Sequence, residues 1–378
     1  MMPVKVNVLF LLNSLCFGGA EKHVISLLNG LDKNKFGLSL GYLKDNTTLL
    51  SQIETKNLND VFCCHVAKKI DFTALKQIAQ HVDEHDVDII VSTNEYPLIY
   101  SFLTRFLSKR KPAMLEVFHT TEQFGLKNKL KMLVYRPLFR VQAKLVYVCE
   151  AQRSYWRKKG LRAQADMVIH NGVDTAHFRD VWPDEQKAAI RSDYGIATTD
   201  YLIGICAALR SEKAHTDLLK ALRLLKQSDV PVKCLIIGDG VERKNIERQV
   251  INLGLEHSVV ITGYQEDVRP LITACDVMAI VSHTETFSIA ALEAMSLGKP
   301  MVMSDIGGAR EQVTPGYNGQ LFQAGDIDGL VMALADLSDA GKRSLFGERC
   351  RESVVNQFSL QGMVDRFEEV LMQTGTVT

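Results

Sequence analysis

Thirteen short apolar runs, most of them separated by stretches with helical spacing, constrain this 378-residue chain more than any other feature. In the first half they are Val4–Leu12, Leu38–Leu43, Val61–Val66, Val87–Val91, Met114–Phe118, Leu145–Val148 and Met167–Ile169. In the second half they are Leu202–Ala207, Val232–Ile237, Val259–Thr262, Val277–Val281, Pro300–Met303 and Gly319–Phe322. Stretches such as Glu21–Leu31 and Phe72–Glu84 carry the helical period between them. Alternating strand and helix periods predict parallel sheets covered by helices on both faces, an α/β class. A single core stops growing at about 250–300 residues, so the length predicts two domains. The seam is expected at Asn171-Gly172-Val173-Asp174, where Asn-Gly signals a turn. Residues 1–170 then form the first domain and 175–358 the second. The tail 359–378, with Met363, Phe367, Val370 and Leu371 at helical spacing, crosses back onto the first.

Hydrophobic residues make up 46% and charged residues 23%, the balance of a folded globular chain. The run from Met1 to Asn13 reads as a buried strand, with neither a basic leader before it nor a small-residue cleavage site after it. No stretch approaches the roughly 18 uncharged apolar residues of a membrane span. The eight cysteines show no C-x-x-C spacing. They read as small buried hydrophobes in a reducing compartment, with Cys63 and Cys64 on opposite faces of a strand. A cytoplasmic protein without a metal is the expectation.

The most informative stretch runs from Ser282 to Met295 and closes on Gly298-Lys299-Pro300. A strand ends, a loop follows and a helix begins near Ser288, at the carboxyl end of a sheet where α/β proteins bind ligands. The amides of Phe287, Ser288 and Ile289 would suit a diphosphate, with Ser288 as the N-cap. Glu293 lies amid Ala290, Ala291, Leu292, Ala294 and Met295, where a carboxylate needs donors. A ribose diol would supply two; a structural partner such as Lys299 or Arg310 is the other reading. Glu285 is either a ligand-facing or a solvated loop acid. Neither half carries an intact G-x-G-x-x-G after its first strand; Gly18-Gly19-Ala20-Glu21 stands there instead, which weakens a dinucleotide reading.

Glu285 and Glu293 form Glu-x7-Glu, followed by Ala-Met and Gly-Lys-Pro. With Gly18-Gly19-Ala20-Glu21, His119 after a strand, Asn171-Gly172-Val173-Asp174 and Arg210…Lys213 in matching order, this closely resembles the retaining GT-B glycosyltransferases of family 4. The resemblance implies two Rossmann-like domains whose parallel sheets face across a cleft. It also implies transfer of a hexose-type sugar, with retention, from a nucleotide-diphosphate donor to a saccharide or lipid-linked acceptor, in cell-surface glycan synthesis. By resemblance Glu285 contacts the donor hexose, Glu293 holds the ribose, Arg210 and Lys213 neutralise the diphosphate, and Gly18-Gly19 approaches it. His119 lies beside the sugar. Gly238 shapes the nucleotide pocket, and Tyr264 and Val268 flank the base. A UDP-sugar is favoured over a GDP-sugar as donor, and no cofactor or metal is required. Asn94, Glu95, Thr120 and Glu122 are the acceptor-side candidates. Thr286 and Ser288 stand where the family often has glycine.

Two other functions stay open on the same architecture: a nucleotide-sugar epimerase or hydrolase, and a non-catalytic nucleotide-sugar-binding protein. Charge is uneven: from Arg105 to Arg162 fifteen Lys/Arg face three acids, although the whole chain is neutral. The segment 126–144 holds Lys127, Lys129, Lys131, Arg136, Arg140 and Lys144 and no acid, with Leu130, Leu133, Val134, Leu138 and Val141 as its apolar face. It is either a sheet-packing helix or a peripheral contact with the anionic inner face of a membrane. Nucleic acid is excluded as a partner, since no aromatic platform accompanies the charge.

Overall fold

The computed structural model describes residues 5–120, 126–141, 144–228 and 231–375. Every one of the thirteen apolar runs is a strand, with ends shifted by at most three residues. Two compact units result, Met1–Gly172 with Leu360–Thr378, and Val173–Ser359.

The first unit holds β1 (Val6–Leu12), β2 (Phe36–Tyr42), β3 (Asp60–Cys63), β4 (Ile89–Thr93), β5 (Ala113–Phe118), β6 (Lys144–Tyr147) and β7 (Asp166–Val168). They form one sheet in the order β3-β2-β1-β4-β5-β6-β7, and each neighbouring pair is parallel. Along β1, Val6, Val8, Phe10 and Leu12 enter one core while Leu9 and Leu11 enter the other. A strand apolar on both faces is what a doubly covered parallel sheet requires. The helix Gly19–Gly30 and the C-terminal helix Leu360–Gly375 fill the first core, the latter with Met363, Val364, Phe367, Val370 and Leu371. The helix Phe72–Glu84 fills the second with Ala74, Leu75, Ile78 and Val82.

The second unit holds β8 (Tyr201–Cys206), β9 (Val232–Ile237), β10 (Val259–Gly263), β11 (Val277–Ile280), β12 (Met301–Ser304) and β13 (Gly319–Phe322), in the parallel order β10-β9-β8-β11-β12-β13. In both sheets the strand order reverses once, between β1 and β4 and between β8 and β11. Loops leaving adjacent strands diverge at such a switch point, and the gap at the strands' carboxyl ends is where α/β proteins bind ligands.

The basic segment forms a helix, Leu126–Arg140, with Pro137 inside it. Its buried face differs from the expected one. Met132, Tyr135 and Phe139 pack with Phe118, Tyr147 and Trp156, while Leu133 is exposed. Leu138, on the expected apolar face, does pack partly buried against this cluster. Cys63 and Cys64 do lie in different cores, and all eight cysteines are free. No helix among the described residues is long and apolar enough to cross a membrane.

Candidate functional site

At the switch point of the second sheet, the loops after β8 and β11 are stitched together. The backbone N–H of His283 donates to the carbonyl of Glu212 at 2.8 Å, and its ring Nε2 lies 2.7 Å from Asp217 Oδ2. Lys213 Nζ donates to Glu285 Oε2 at 2.6 Å, with both side chains about three-quarters buried. Arg210 precedes the 3₁₀ turn Ser211–Lys213, and Ala214 closes that turn with φ +52°. A left-handed non-glycine residue is costly, and such strain clusters at functional loops. Glu285 is further fixed from β12's side. Gly307 has φ +54°, and a Cβ there would sit 2.2 Å from the Glu285 carbonyl. Only glycine lets the 305–308 loop come this close, and Gly308 N–H then donates to Thr286 O at 2.7 Å.

Ser288 is the N-cap of the helix Ile289–Ser296, its hydroxyl accepting from Ala291 N–H at 3.2 Å. The expectation that its own amide is open to a diphosphate needs correction. Gln312 clamps the residue, accepting from Ser288 N–H at 3.3 Å and donating to Ser288 O at 2.8 Å. The Phe287 ring also turns inward, edge-on to Phe358 with centroids 5.5 Å apart. Ile289 begins the helix itself. Glu293 is buried in that helix. The two cations considered as its structural partners are engaged elsewhere: Lys299 Nζ donates to Thr273 O at 2.6 Å, and Arg310 pairs with Asp305.

The loops after β9 and β10 line up along the same carboxyl edge. Gly238 has φ +142°, and a Cβ there would meet Ala207 O at 2.1 Å, so glycine seats the β9 loop against the β8 loop. Tyr264 is exposed, and Val268 caps the short helix Arg269–Ala274.

In the first unit, Gly18 is the N-cap of the helix Gly19–Gly30, with an extended φ of −172°. Its small size serves the Glu21 carboxylate, which would lie 2.2 Å from a Cβ. His119, after β5, donates its backbone N–H to Asn94 Oδ1 at 3.0 Å. Asn94 adopts φ +66° at the start of the helix Glu95–Leu107, and its side chain does not cap that helix. The His119 ring meets His23 edge-on at 4.9 Å, and His23 Nδ1 lies 3.0 Å from Asn171 Oδ1. Burial lowers His23 to about 4 and holds His119 well below its ordinary value, so both rings are neutral near pH 7. A neutral imidazole donates or accepts hydrogen bonds without adding charge. Thr120 is pinned through its carbonyl, which accepts from Trp156 Nε1 at 2.7 Å and Gln152 Nε2 at 3.0 Å. Glu122 lies outside the described residues.

The sequence reading missed Gln312, Gly307, His283 with Asp217, and Glu116. Glu116 is fully buried on β5, accepts from Ser92 Oγ at 2.6 Å, and has its carboxyl pushed well above the ordinary range by burial. Its signal was a lone acid inside an apolar strand. Among the described residues, Asp60, His81 and His85 are the group with metal-ligand proximity. Asp60 is on the edge strand β3, His81 is in the helix Phe72–Glu84 and His85 is its C-cap, and the two imidazoles stack at 4.2 Å and 25°.

Residues 17–177 match the model for Glycosyltransferase Family 4, and residues 186–352 match that for Glycosyl transferases group 1. The chain is 32% identical over 204 residues to an N-acetyl-alpha-D-glucosaminyl L-malate synthase of Bacillus anthracis, covering 54% of this chain and 52% of that protein. It is 31% identical over 137 residues to the lipopolysaccharide core biosynthesis glycosyltransferase LpsE of Rhizobium meliloti, covering 36% and 40%. The chain thus spans about half the length of these curated relatives. A crystal structure of Anabaena Alr3699/HepE in complex with UDP superposes with a TM-score of 0.84 at 23% identity, over 97% of this chain and 100% of that one. That likeness covers both sheets, and the two matched segments together take in most of the sequence. The chain belongs to the family 4, group 1 glycosyltransferases and has their two Rossmann-like domains of the GT-B fold.

Proposed function

We propose that the protein transfers a hexose-type sugar, with retention, from a nucleotide-diphosphate donor to a saccharide or lipid-linked acceptor in cell-surface glycan synthesis. The observation that carries the reading is the Lys213–Glu285 pair at the β8/β11 switch point, with Glu293 buried one helix turn beyond Ser288–Ile289. The donor is assigned to the second unit. Arg210 and Lys213 neutralise its diphosphate, Glu285 receives sugar hydroxyls, Glu293 holds the ribose, and the backbone at Gly238, Tyr264 and Val268 surrounds the base. UDP is favoured over GDP because a structurally similar protein was crystallised with it.

In the reaction the acceptor hydroxyl oxygen bonds to the anomeric carbon as the bond to the diphosphate oxygen breaks. The hydroxyl proton passes to the departing phosphate on the same face. Fixed cations stabilise the charge that develops on this leaving group. Glu116 is not assigned as a nucleophile, because its carboxyl is fully buried within the sheet. Leu133, exposed on the basic helix, supports a peripheral contact with anionic membrane through 126–144.

The test is incubation with UDP- and GDP-sugars, with and without an acceptor mixture of saccharides and polyprenyl-linked saccharides. Product that needs acceptor, and that disappears in Glu285→Ala at unchanged melting temperature, supports the reading. Equal product from donor and buffer alone indicates a hydrolase or epimerase. Nucleotide binding without any turnover indicates a binding protein.

A further inference from the structure

The first unit has its own cavity at its switch point, about 560 Å³ in volume and lined by residues from the ends of β1 and β4 and from the loop after β3. Its wall is chemically two-sided. Asn13, Glu21 and Glu95 lie on it, and Asn13 Oδ1 is buried without a hydrogen-bond donor. A buried carbonyl oxygen left unpaired is destabilising, which makes Asn13 a candidate to receive a donor from a ligand on this wall. Lys44, Lys68 and Lys69 also line the cavity, and none has a carboxylate partner among the described residues.

These lysines are held in place. Tyr96 Oη donates to the carbonyls of Lys68 at 3.2 Å and Lys69 at 3.0 Å. Lys44 Nζ sits 5.6 Å from the centre of the same Tyr96 ring. One turn along the helix, Tyr100 Oη accepts from Asp71 N–H at 3.1 Å, and Asp71 in turn caps the helix Phe72–Glu84. The loop is thus tied at both ends to the helix Glu95–Leu107, which fixes the backbone of Lys68 and Lys69 on the same cavity wall as Lys44. That helix points its N-terminus at the cavity without a side-chain cap, because Asn94 is spent on His119. Its dipole adds to the positive field.

We infer that this cavity takes the acceptor, and that the acceptor is a saccharide bearing an anionic group, a phosphate or a carboxylate. Lys44, Lys68 and Lys69 hold the anion, while Asn13, Glu21 and Glu95 receive the hydroxyls. A neutral sugar meets only the hydroxyl-binding side of the wall, and a bare anion only the lysine side. The inference rests on the glycosyl-transfer reading for the word acceptor, and on the cavity alone for the ligand chemistry.

Saturation-transfer NMR titrations of the full chain with α-D-glucose 1-phosphate, D-glucuronic acid, methyl α-D-glucopyranoside and inorganic phosphate test it, with UDP titrated in parallel. At least one charged sugar binds at least about tenfold tighter than the neutral glucoside, the size of one charge-assisted hydrogen bond. Whichever charged sugar wins identifies the anion. Lys68→Ala/Lys69→Ala, with both positions exposed, removes the preference and leaves UDP binding unchanged. Equal binding of the neutral sugar, a preference that survives in the double variant, inorganic phosphate binding as tightly as the sugars, or no sugar binding overturns the inference. An intact preference in a protein that ignores UDP counts against the glycosyl-transfer reading alone.

Discussion

Lys213 and Glu285, 72 residues apart in sequence, meet at 2.6 Å because the loops after β8 and β11 share the switch point of the second sheet. The lysine assigned to the diphosphate is thus also the partner of the acid assigned to the sugar. Each holds the other at the place where a donor's charge and hydroxyls would arrive. A partly exposed pair of this kind adds only about 0–1 kcal/mol to stability. Glu285→Gln should therefore leave the melting temperature within about 2 °C of wild type while lowering kcat at least about 100-fold, as expected for a lost transition-state contact. Lys213→Ala should do the same and also raise KM for the donor. Steady-state kinetics and a thermal melt on the same preparations check both.

Gly307 is the position where backbone geometry controls the site. Its φ of +54° and the 2.2 Å that would separate a Cβ from Glu285 O leave no room for alanine. Gly307→Ala should cost about 1–3 kcal/mol of stability by forcing a left-handed alanine and pushing the Glu285 loop aside. Activity should drop more than stability does. A chemical-denaturation curve alongside donor KM measures both; wild-type values of each would show that the loop can yield without cost.

The strands were legible because each central one is apolar on both faces, as Val6–Leu12 shows, and such runs survive any reasonable choice of boundaries. The Ser288 cap was legible too, since its partner Ala291 is only three residues away. Gln312 was not: its clamp on Ser288 spans 24 residues and depends on where the β12 loop lands. The same holds for His283 with Asp217, 66 residues apart. Lys68 and Lys69 were not singled out in the sequence, because their link to Tyr96 spans 28 and 27 residues. The basic helix was legible only in part: Leu138 of the expected apolar face packs inward, but the fit of Tyr135 and Phe139 beside Phe118 brings in residues that face did not include.

Glu116 should make stability fall as pH rises. Its folded carboxyl keeps its proton well above the ordinary 4.5, while the unfolded chain releases it there. The native state then binds more protons than the unfolded state at any pH between the two values, so raising pH favours unfolding. Glu116→Gln keeps the shape and removes this slope. Its melting temperature should gain on wild type as pH rises from the ordinary carboxyl range; a constant offset would contradict the raised folded carboxyl.

Acid should act in the opposite direction through the histidines. Burial holds His23, His81 and His215 at about 4 in the folded protein, against 6.5 in an exposed chain. The unfolded state therefore takes up protons first, and stability is lost as pH falls from about 6.5 to about 4. The fully buried His23 alone contributes up to about 3 kcal/mol of that loss. Denaturant melts of wild type and His23→Gln at pH 7 and pH 5 should show a smaller drop in the variant.

The central claim is that Glu293 grips the pentose of a nucleotide on the second unit. Isothermal titration of UDP into wild type and Glu293→Gln, at equal folded fraction, addresses it directly. Loss of hydrogen bonds to a charged carboxylate predicts weakening by at least about tenfold in the variant, since one such bond is worth about 1.5–3 kcal/mol. Identical affinities, or no binding of UDP to the wild-type protein, would contradict the account.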